Sequence, residues 1–193
     1  MSSVAGANIT GLAEKIGAAL YTTPGGRGTY AEDHPLCLGQ IGLYFTEAGK
    51  TYFDESDLVI SVGSRLEDFS TGGWTLWPRK ARFVQIDIDP QAIGLNLHPD
   101  TALVGDAALA TADLLAAIDE RPAGSAVGRA VAIEKLQSRY VRRIGRQVKQ
   151  QKKPISGRQV VGAINRVFGK NTIMVHENGG ADLWSYYWPY YRV

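Results

Sequence analysis

Two short apolar runs constrain this chain more than anything else in it. Leu58 to Val62 reads LVISV and empties into Gly63-Ser64-Arg65. Phe83 to Ile88 reads FVQIDI and empties into Asp87-Ile88-Asp89-Pro90. A near-continuous, β-branched apolar run suits a strand buried on both faces of a parallel sheet, and in open sheets of that kind ligands bind beyond the carboxyl ends of the strands. Glycine at such an end lets backbone approach a ligand, and an acid just past it can bind ribose hydroxyls. Arg65 stands where a guanidinium could fork onto a phosphate, or could instead pair with Glu67 or Asp68. The stretch from Asp57 to Asp106 therefore predicts a nucleotide-shaped crevice. Asp87 and Asp89 are read as separate carboxylates, not as a paired acid and base.

Bulk properties narrow the setting. With 193 residues, 45% of them hydrophobic and 21% charged, the chain suits one substantial core plus part of a second. A net charge of +2 gives no reason to expect nucleic acid or an anionic membrane as partner. The single cysteine, Cys37, excludes an internal disulfide framework and any multi-cysteine zinc site, which fits a reducing cytoplasm. No apolar run has the length of a membrane span, and the N-terminus lacks the form of a signal peptide.

Taken in order, the chain opens with a small, polar stretch to Asn8, then a helix from Ile9 to Ile16 stopped by Gly17. Ala18 to Thr22 reads as a strand. A doubly wound domain normally begins with a strand before its first helix, and here that strand is not evident. Thr22-Thr23-Pro24-Gly25-Gly26-Arg27-Gly28 is a strand end followed by a glycine-rich loop, whose amides could face an anion; a plain turn explains it equally well. His34 is assigned a structural role, since no nucleophile lies nearby in sequence. Thr46 to Glu55 reads as a helix, with Ser56-Asp57 as the break before Leu58. Trp74, Trp77 and Pro78 are expected to pack on the sheet. Gln91 to Asn96 is a short helix or turn, Val104-Gly105-Asp106 a further strand end, and Ala107 to Ile118 a helix with Leu109, Ala112, Leu115 and Ala116 inward. Arg121 to Gly128 is read as a linker, and Ala130 to Lys152 as a basic helix with Ile133, Leu136, Tyr140 and Ile144 as its apolar stripe. Ser156 should cap a helix from Gly157 to Phe168. A strand from Thr172 to Val175 follows, and then an aromatic segment, Leu183 to Tyr191, expected to be exposed or held only by a neighbouring copy.

These pieces together resemble the thiamine diphosphate-dependent enzymes of the acetolactate synthase group. The resemblance rests on Thr22 to Gly28, His34 to Leu36, Ser56 to Arg65, Ile86 to Asn96 and Val104 to Ala107, five segments in the family's order, and on Glu177-Asn178-Gly179 followed by Trp184. It implies an α/β fold: a parallel-sheet, Rossmann-like central domain with helices on both faces, followed by an incomplete second α/β unit. Residues 1–120 would be the central domain, 121–153 a linker and basic helix, and 154–193 the truncated start of the thiamine diphosphate-binding domain.

The implied function is part of a carboligase or decarboxylase, of transferase or lyase chemistry, acting on a 2-oxoacid or an acyl-CoA-type substrate. A stand-alone, non-catalytic nucleotide-binding or assembly module is the alternative. Thiamine diphosphate and Mg2+ would belong to the full-length parent, and no catalytic or metal-ligating residue is expected here. The chain is expected to be a fragment, inactive alone, working in a cytoplasmic homo-oligomer with the remaining thiamine-enzyme domains. Carried over by resemblance, the cofactor-facing positions are Thr23, Pro24, Gly25, Gly63, Arg65, Asp68, Asp87, Ile88, Asp106 and Ala107 for an FAD or ADP in the central domain. Gly179, Gly180 and Ala181 would touch thiamine diphosphate. Ile41 stands where flavin-binding members carry a histidine, and Phe69 where they carry a second arginine. Those two changes remove polar contacts worth ~1–3 kcal/mol each and leave an adenine nucleotide or an empty crevice as open as FAD.

Overall fold

The computed structural model describes residues 3–118, 123–150, 153–168, 172, 175 and 179–186. Helix α1, Ser3–Ile16, begins well ahead of the expected Ile9. Its first turns are held by close packing, which periodicity does not reveal. Ala5 is buried, and a Cβ on Gly6 would lie 1.9 Å from the carbonyl oxygen of Thr29. Gly17 ends the helix as expected. Its φ of +66° is the left-handed conformation that favours glycine, and a Cβ there would sit 2.5 Å from the oxygen of Ala126.

Strand β1, Leu20–Thr22, pairs in parallel with β2, Cys37–Gln40. The second of these was not anticipated: Gly39, at φ +98°, interrupts the apolar pattern that would have marked it. Helix α2, Glu47–Asp54, lies within the expected range and is capped by Thr46, whose hydroxyl accepts from the Gly49 amide at 2.9 Å. Strand β3 spans Leu58–Val62 as read from the sequence, and a short helix, α3, covers Asp68–Thr71. Strands β4, Arg82–Asp87, and β5, Thr101–Val104, complete a second parallel sheet in the order β3-β4-β5.

Helices flank this framework on both faces. In β1, Leu20 joins a core cluster with Ala13 of α1, whereas the next residue, Tyr21, stacks edge-on against Phe45 and Phe53 and donates to the Gly49 oxygen. Successive strand residues point to opposite faces, so α1 and α2 lie on opposite sides of β1. Helix α4, Ala107–Ala117, shares the layer of α1, to which it is tied by Asn8 donating to the Ala108 oxygen and Lys15 donating to the Leu115 oxygen. On the other face, Phe53 meets Trp77, and Trp77 meets Phe83 of β4, in T-shaped pairs worth about 0.5–1.5 kcal/mol each beyond their burial. Trp77 thus packs as expected, while Trp74 is largely exposed and donates to the Leu66 oxygen.

Two expectations are corrected. The inward face of α4 carries Thr111, fully buried, whereas Leu109, Ala112 and Ala116 are exposed. An alanine-rich helix offers little contrast between faces, and packing on α1 sets its rotation instead. The stretch expected as a linker is also helical: α5 runs Ala123–Lys149, and its residues 123–128 continue straight into the basic helix. Its stripe is as expected, with Ile133, Tyr140 and Ile144 buried. Arg129 donates to the carbonyls of Ile16 and Gly17, closing the C-terminus of α1. Helix α6, Gly157–Val167, has the expected Ser156 cap, completed by Gln159 as a capping box. Helix α7 spans Gly180–Tyr186. Thr172 and Val175 are not in a strand, and the rest of that expected strand, together with residues 176–178 and 187–193, lies outside the described residues.

Candidate functional site

The carboxyl ends of β3, β4 and β5 lie side by side, and they bring six of the sequence-predicted positions together. Gly63 turns the chain out of β3 with φ +62°, while its amide still donates to the Ile86 oxygen of β4 at 2.8 Å. Arg65 follows on the surface, and it forms no ion pair with Glu67 or Asp68 among the described residues. Asp87 closes β4 and is buried; its Oδ1 accepts from the Asp89 amide at 3.0 Å, and its carbonyl accepts from the Gly105 amide at 3.0 Å. That second bond locks the end of β4 to the end of β5. Ile88 projects from the turn, 69% exposed. Asp106 caps α4, its Oδ1 accepting from the amides of Ala108 at 2.8 Å and Leu109 at 3.2 Å, and Ala107 is the first residue of that helix.

The remaining positions surround these. Thr23 precedes a 3-10 turn, Pro24–Gly26, at the end of β1. A Cβ added to Gly25, Gly28 or Gly105 would meet nothing within 4 Å, so these loops have open space beside them. Asp68 opens α3 and is exposed, as is its neighbour Phe69. Gly42, just after β2, is pressed against α3, where a Cβ would come within 2.2 Å of the Phe69 oxygen. The loops leaving β2 and β3 therefore meet, and the two sheets present their carboxyl ends on the same side. Ile41 is buried in the core, in a cluster with Phe53, Leu66 and Phe83, and does not face the crevice. Gly179 and Gly180 are exposed with open space around them, and Ala181 lies in the first turn of α7; nothing among the described residues joins these three to the crevice.

Two organising side chains escaped the sequence reading as functional. Gln85 sits in β4, 2% exposed, where its Nε2 donates to the Ala92 oxygen at 3.0 Å and its Oε1 accepts from the Gly94 amide at 2.9 Å. Asn96 reaches across and donates to the Arg65 oxygen at 2.7 Å. Together they pin the turn after β4 to the strand ends. The signal was present for Gln85, an amide inside an otherwise apolar strand, because a buried amide must find partners. His34 is structural, its Nδ1 accepting from the Leu36 amide at 3.2 Å and its Nε2 lying 3.1 Å from Glu14. Cys37 is buried, and its thiol is pushed up to about 12 by desolvation, with the Gly39 amide opposing weakly. Among the described residues no cluster of His, Cys, Asp and Glu could hold a metal ion, and no helix is long and apolar enough to cross a membrane.

What the crevice can do is bind. It offers an exposed guanidinium, a buried carboxylate with one oxygen uncommitted to its turn, an exposed apolar side chain and glycine loops with room beside them. Among the described residues it brings together no nucleophile paired with a base. Residues 1–115 match the model of the thiamine pyrophosphate enzyme central domain. A probable acetolactate synthase large subunit of Methanocaldococcus jannaschii is 41% identical over 107 residues, 55% of this chain and 18% of that protein. An acetolactate synthase of Mycobacterium avium is 36% identical over 104 residues, 54% of this chain and 17% of that one. A probable chloroplastic acetolactate synthase of Oryza sativa is 31% identical over 124 residues, 64% of this chain and 19% of that one. The chain thus corresponds to about a fifth of the length of these curated relatives. With the family model covering more than half of it, the chain belongs to the thiamine pyrophosphate enzyme family, as an acetolactate synthase-like central domain.

Proposed function

We propose that this chain supplies the nucleotide-binding central domain of a thiamine diphosphate-dependent carboligase or decarboxylase acting on a 2-oxoacid or an acyl-CoA-type substrate. Residues 154–193 would open the domain that holds the cofactor's diphosphate, with the Gly179-Gly180-Ala181 backbone against it. Thiamine diphosphate, held together with Mg2+, would supply the carbon nucleophile in such an enzyme. The residues of this chain bind and position; none carries the reacting atoms. The enzyme would be a cytoplasmic homo-oligomer.

The observation that carries this reading is the convergence of Gly63, Arg65, Asp87, Ile88 and Asp106 at the ends of three adjacent parallel strands. An adenine nucleotide fits that set. Arg65 would pair with its diphosphate, the free oxygen of Asp87 would accept from a ribose hydroxyl, and Ile88 would lie against the ring. Ile41 is committed to the core, which removes the position where a flavin would find a histidine. The preferred ligand is therefore the ADP portion shared by FAD, ADP and coenzyme A.

Thermal unfolding in the presence of each of the three tests this. A ligand at about a hundred times its Kd adds about 2.7 kcal/mol to the folded state, which for a chain of this size raises the midpoint by roughly 5–10 °C. ADP should give that rise, and Arg65→Ala should abolish it while leaving the ligand-free midpoint within a degree or so. No rise with any of the three would mean that the crevice is empty.

A further inference from the structure

Helix α5 has a second face that the core does not use. Ile133, Tyr140 and Ile144 are buried, and Ile133 joins the cluster of Leu20 in β1 and Leu38 in β2. On the opposite side stand Lys135, Arg139, Arg142, Arg146 and Lys149, all exposed. Helical geometry sets these residues within an arc of about 80°, centred opposite the buried stripe, in a row about 21 Å long. Neighbouring helices leave the row open. Glu47 of α2 pairs with Arg143 on one flank. On another flank α6 presses so close that a Cβ on Gly162 would lie 2.2 Å from Val148 Cγ1.

Ordinary reasons for cations on a helix do not account for the row. The helix dipole favours them in the last turn, which explains Arg146 and Lys149 but not Lys135, Arg139 or Arg142. Solvated helices commonly set an acid one turn from each base. In α5 the only acid is Glu134, which lies outside the arc. The positions three and four residues before each member of the row hold a neutral residue or another cation. Like charges at that spacing repel. No member of the row has an ion pair or hydrogen bond among the described residues, whereas Arg129 and Arg143 of the same helix are both engaged.

Anionic partners of different kinds need different faces. A bilayer needs Trp, Phe or Leu on the side that meets it, and the arc has none. Single-stranded nucleic acid needs aromatic platforms, which the arc also lacks, and a net charge of +2 gives no broad field for a polyanion. A second α-helix matches. The row steps by four, three, four and three residues, the straight seam along which two helices lie side by side. Just before it, Val127 and Val131 are 58% and 57% exposed and offer an apolar anchor. Among the described residues no helix of this chain has more than two acids, and both acids of α2 are already paired, so neither the chain nor a second copy supplies the match. The row also faces away from β1 and β2, so whatever completes the crevice at the strand ends does not need it. We propose that the outer face of α5 docks an acidic α-helix of a separate protein, running antiparallel. Its carboxylates, at the same alternating spacing, meet the row from Lys135 to Lys149, and an apolar side chain near its C-terminus meets Val127 and Val131. In that direction its leading carboxylates fall in its own first turn, where the helix dipole favours them.

The test is fluorescence anisotropy of the whole chain at low salt with a labelled helical peptide of about 18 residues. The peptide is built on alanine and glutamine, with glutamates at four-three spacing and leucines after them. A control peptide of the same composition spreads its glutamates around the helix. Exposed ion pairs are individually weak, so the row is cut at three places together, Arg139→Gln, Arg142→Gln and Arg146→Gln. The row peptide is expected to bind about tenfold or more tighter than the control, and the triple variant to lose that difference with its thermal midpoint unchanged or raised. Lys135→Gln with Lys149→Gln gives a second reading of the row, independent of the arginines, and is expected to weaken the same peptide. None of these residues borders the crevice, so nucleotide binding there is expected to be the same in every variant. The proposal is overturned if neither peptide binds, if both bind alike, or if neither variant weakens the row peptide. It is also overturned if a DNA duplex or vesicles rich in phosphatidylserine bind more tightly than the row peptide does.

Discussion

Gln85 shows how much of the crevice rests on one amide. Two of its hydrogen bonds hold the turn after β4, at Ala92 and Gly94, against the strand that carries Asp87. Replacing it with leucine keeps the volume but strands the Gly94 N–H and the Ala92 carbonyl. Gln85→Leu should therefore lose ~1–3 kcal/mol in urea unfolding. It should also weaken the nucleotide binding proposed at Asp87. Cys37 presents the opposite case, a reactive side chain made inert. Its folded pKa is pushed up to about 12 from an ordinary 9.0, so the native thiol stays protonated where the unfolded one ionises. The unfolded chain then binds fewer protons, and this residue's contribution to stability is complete below pH 9 and is lost as pH rises toward 12. At pH 8 a thiol-directed reagent should label native Cys37 only as fast as the chain opens; prompt stoichiometric labelling would contradict its burial.

At the scale of elements, Arg27 is the joint between the glycine-rich loop and α7. Its guanidinium pairs with Glu32 at 2.6 Å, both side chains buried, donates to Ser185 Oγ at 3.1 Å and lies 5.4 Å from the centre of the Tyr186 ring. Tyr186 in turn stacks edge-on with Tyr44, and a Cβ on Gly157 would come within 2.4 Å of the Trp184 ring. The described part of the aromatic segment, expected to be exposed or held only by a neighbouring copy, is docked in part: Leu183 and Trp184 are open to solvent, while Tyr186 is half-buried. Arg27→Met removes both the buried pair and the tether. It should cost ~3–5 kcal/mol and speed amide exchange through residues 180–186 more than through β4. Equal effects on both elements would mean that α7 does not hang on this residue.

Across the whole molecule, the apolar runs that opened the sequence are the parts that were legible. Leu58 to Val62 is β3 residue for residue, and the second run shifts by a single position. The crevice was legible for the same reason, because strand ends in a parallel sheet must emerge together, and Gly63, Arg65, Asp87, Ile88 and Asp106 do. What escaped depends on neighbours. Strand β2 is held by β1 across a glycine that spoils its pattern, the first turns of α1 are held by the loop at Thr29, and the rotation of α4 is set by α1. The roles of Gln85 and Asn96 required knowing which backbone groups lay within reach.

Helix α5 sets a limit of a different kind. Ile133 is fully buried in the cluster of Leu20, Leu36 and Leu38, yet it lies beyond residue 115, where the family match ends. The inherited module and the cooperative folding unit therefore have different boundaries in this protein. Domain shuffling at the first boundary would tear an aliphatic wall off β1 and β2, so any recombination that moves this module intact has to carry its basic helix along with it.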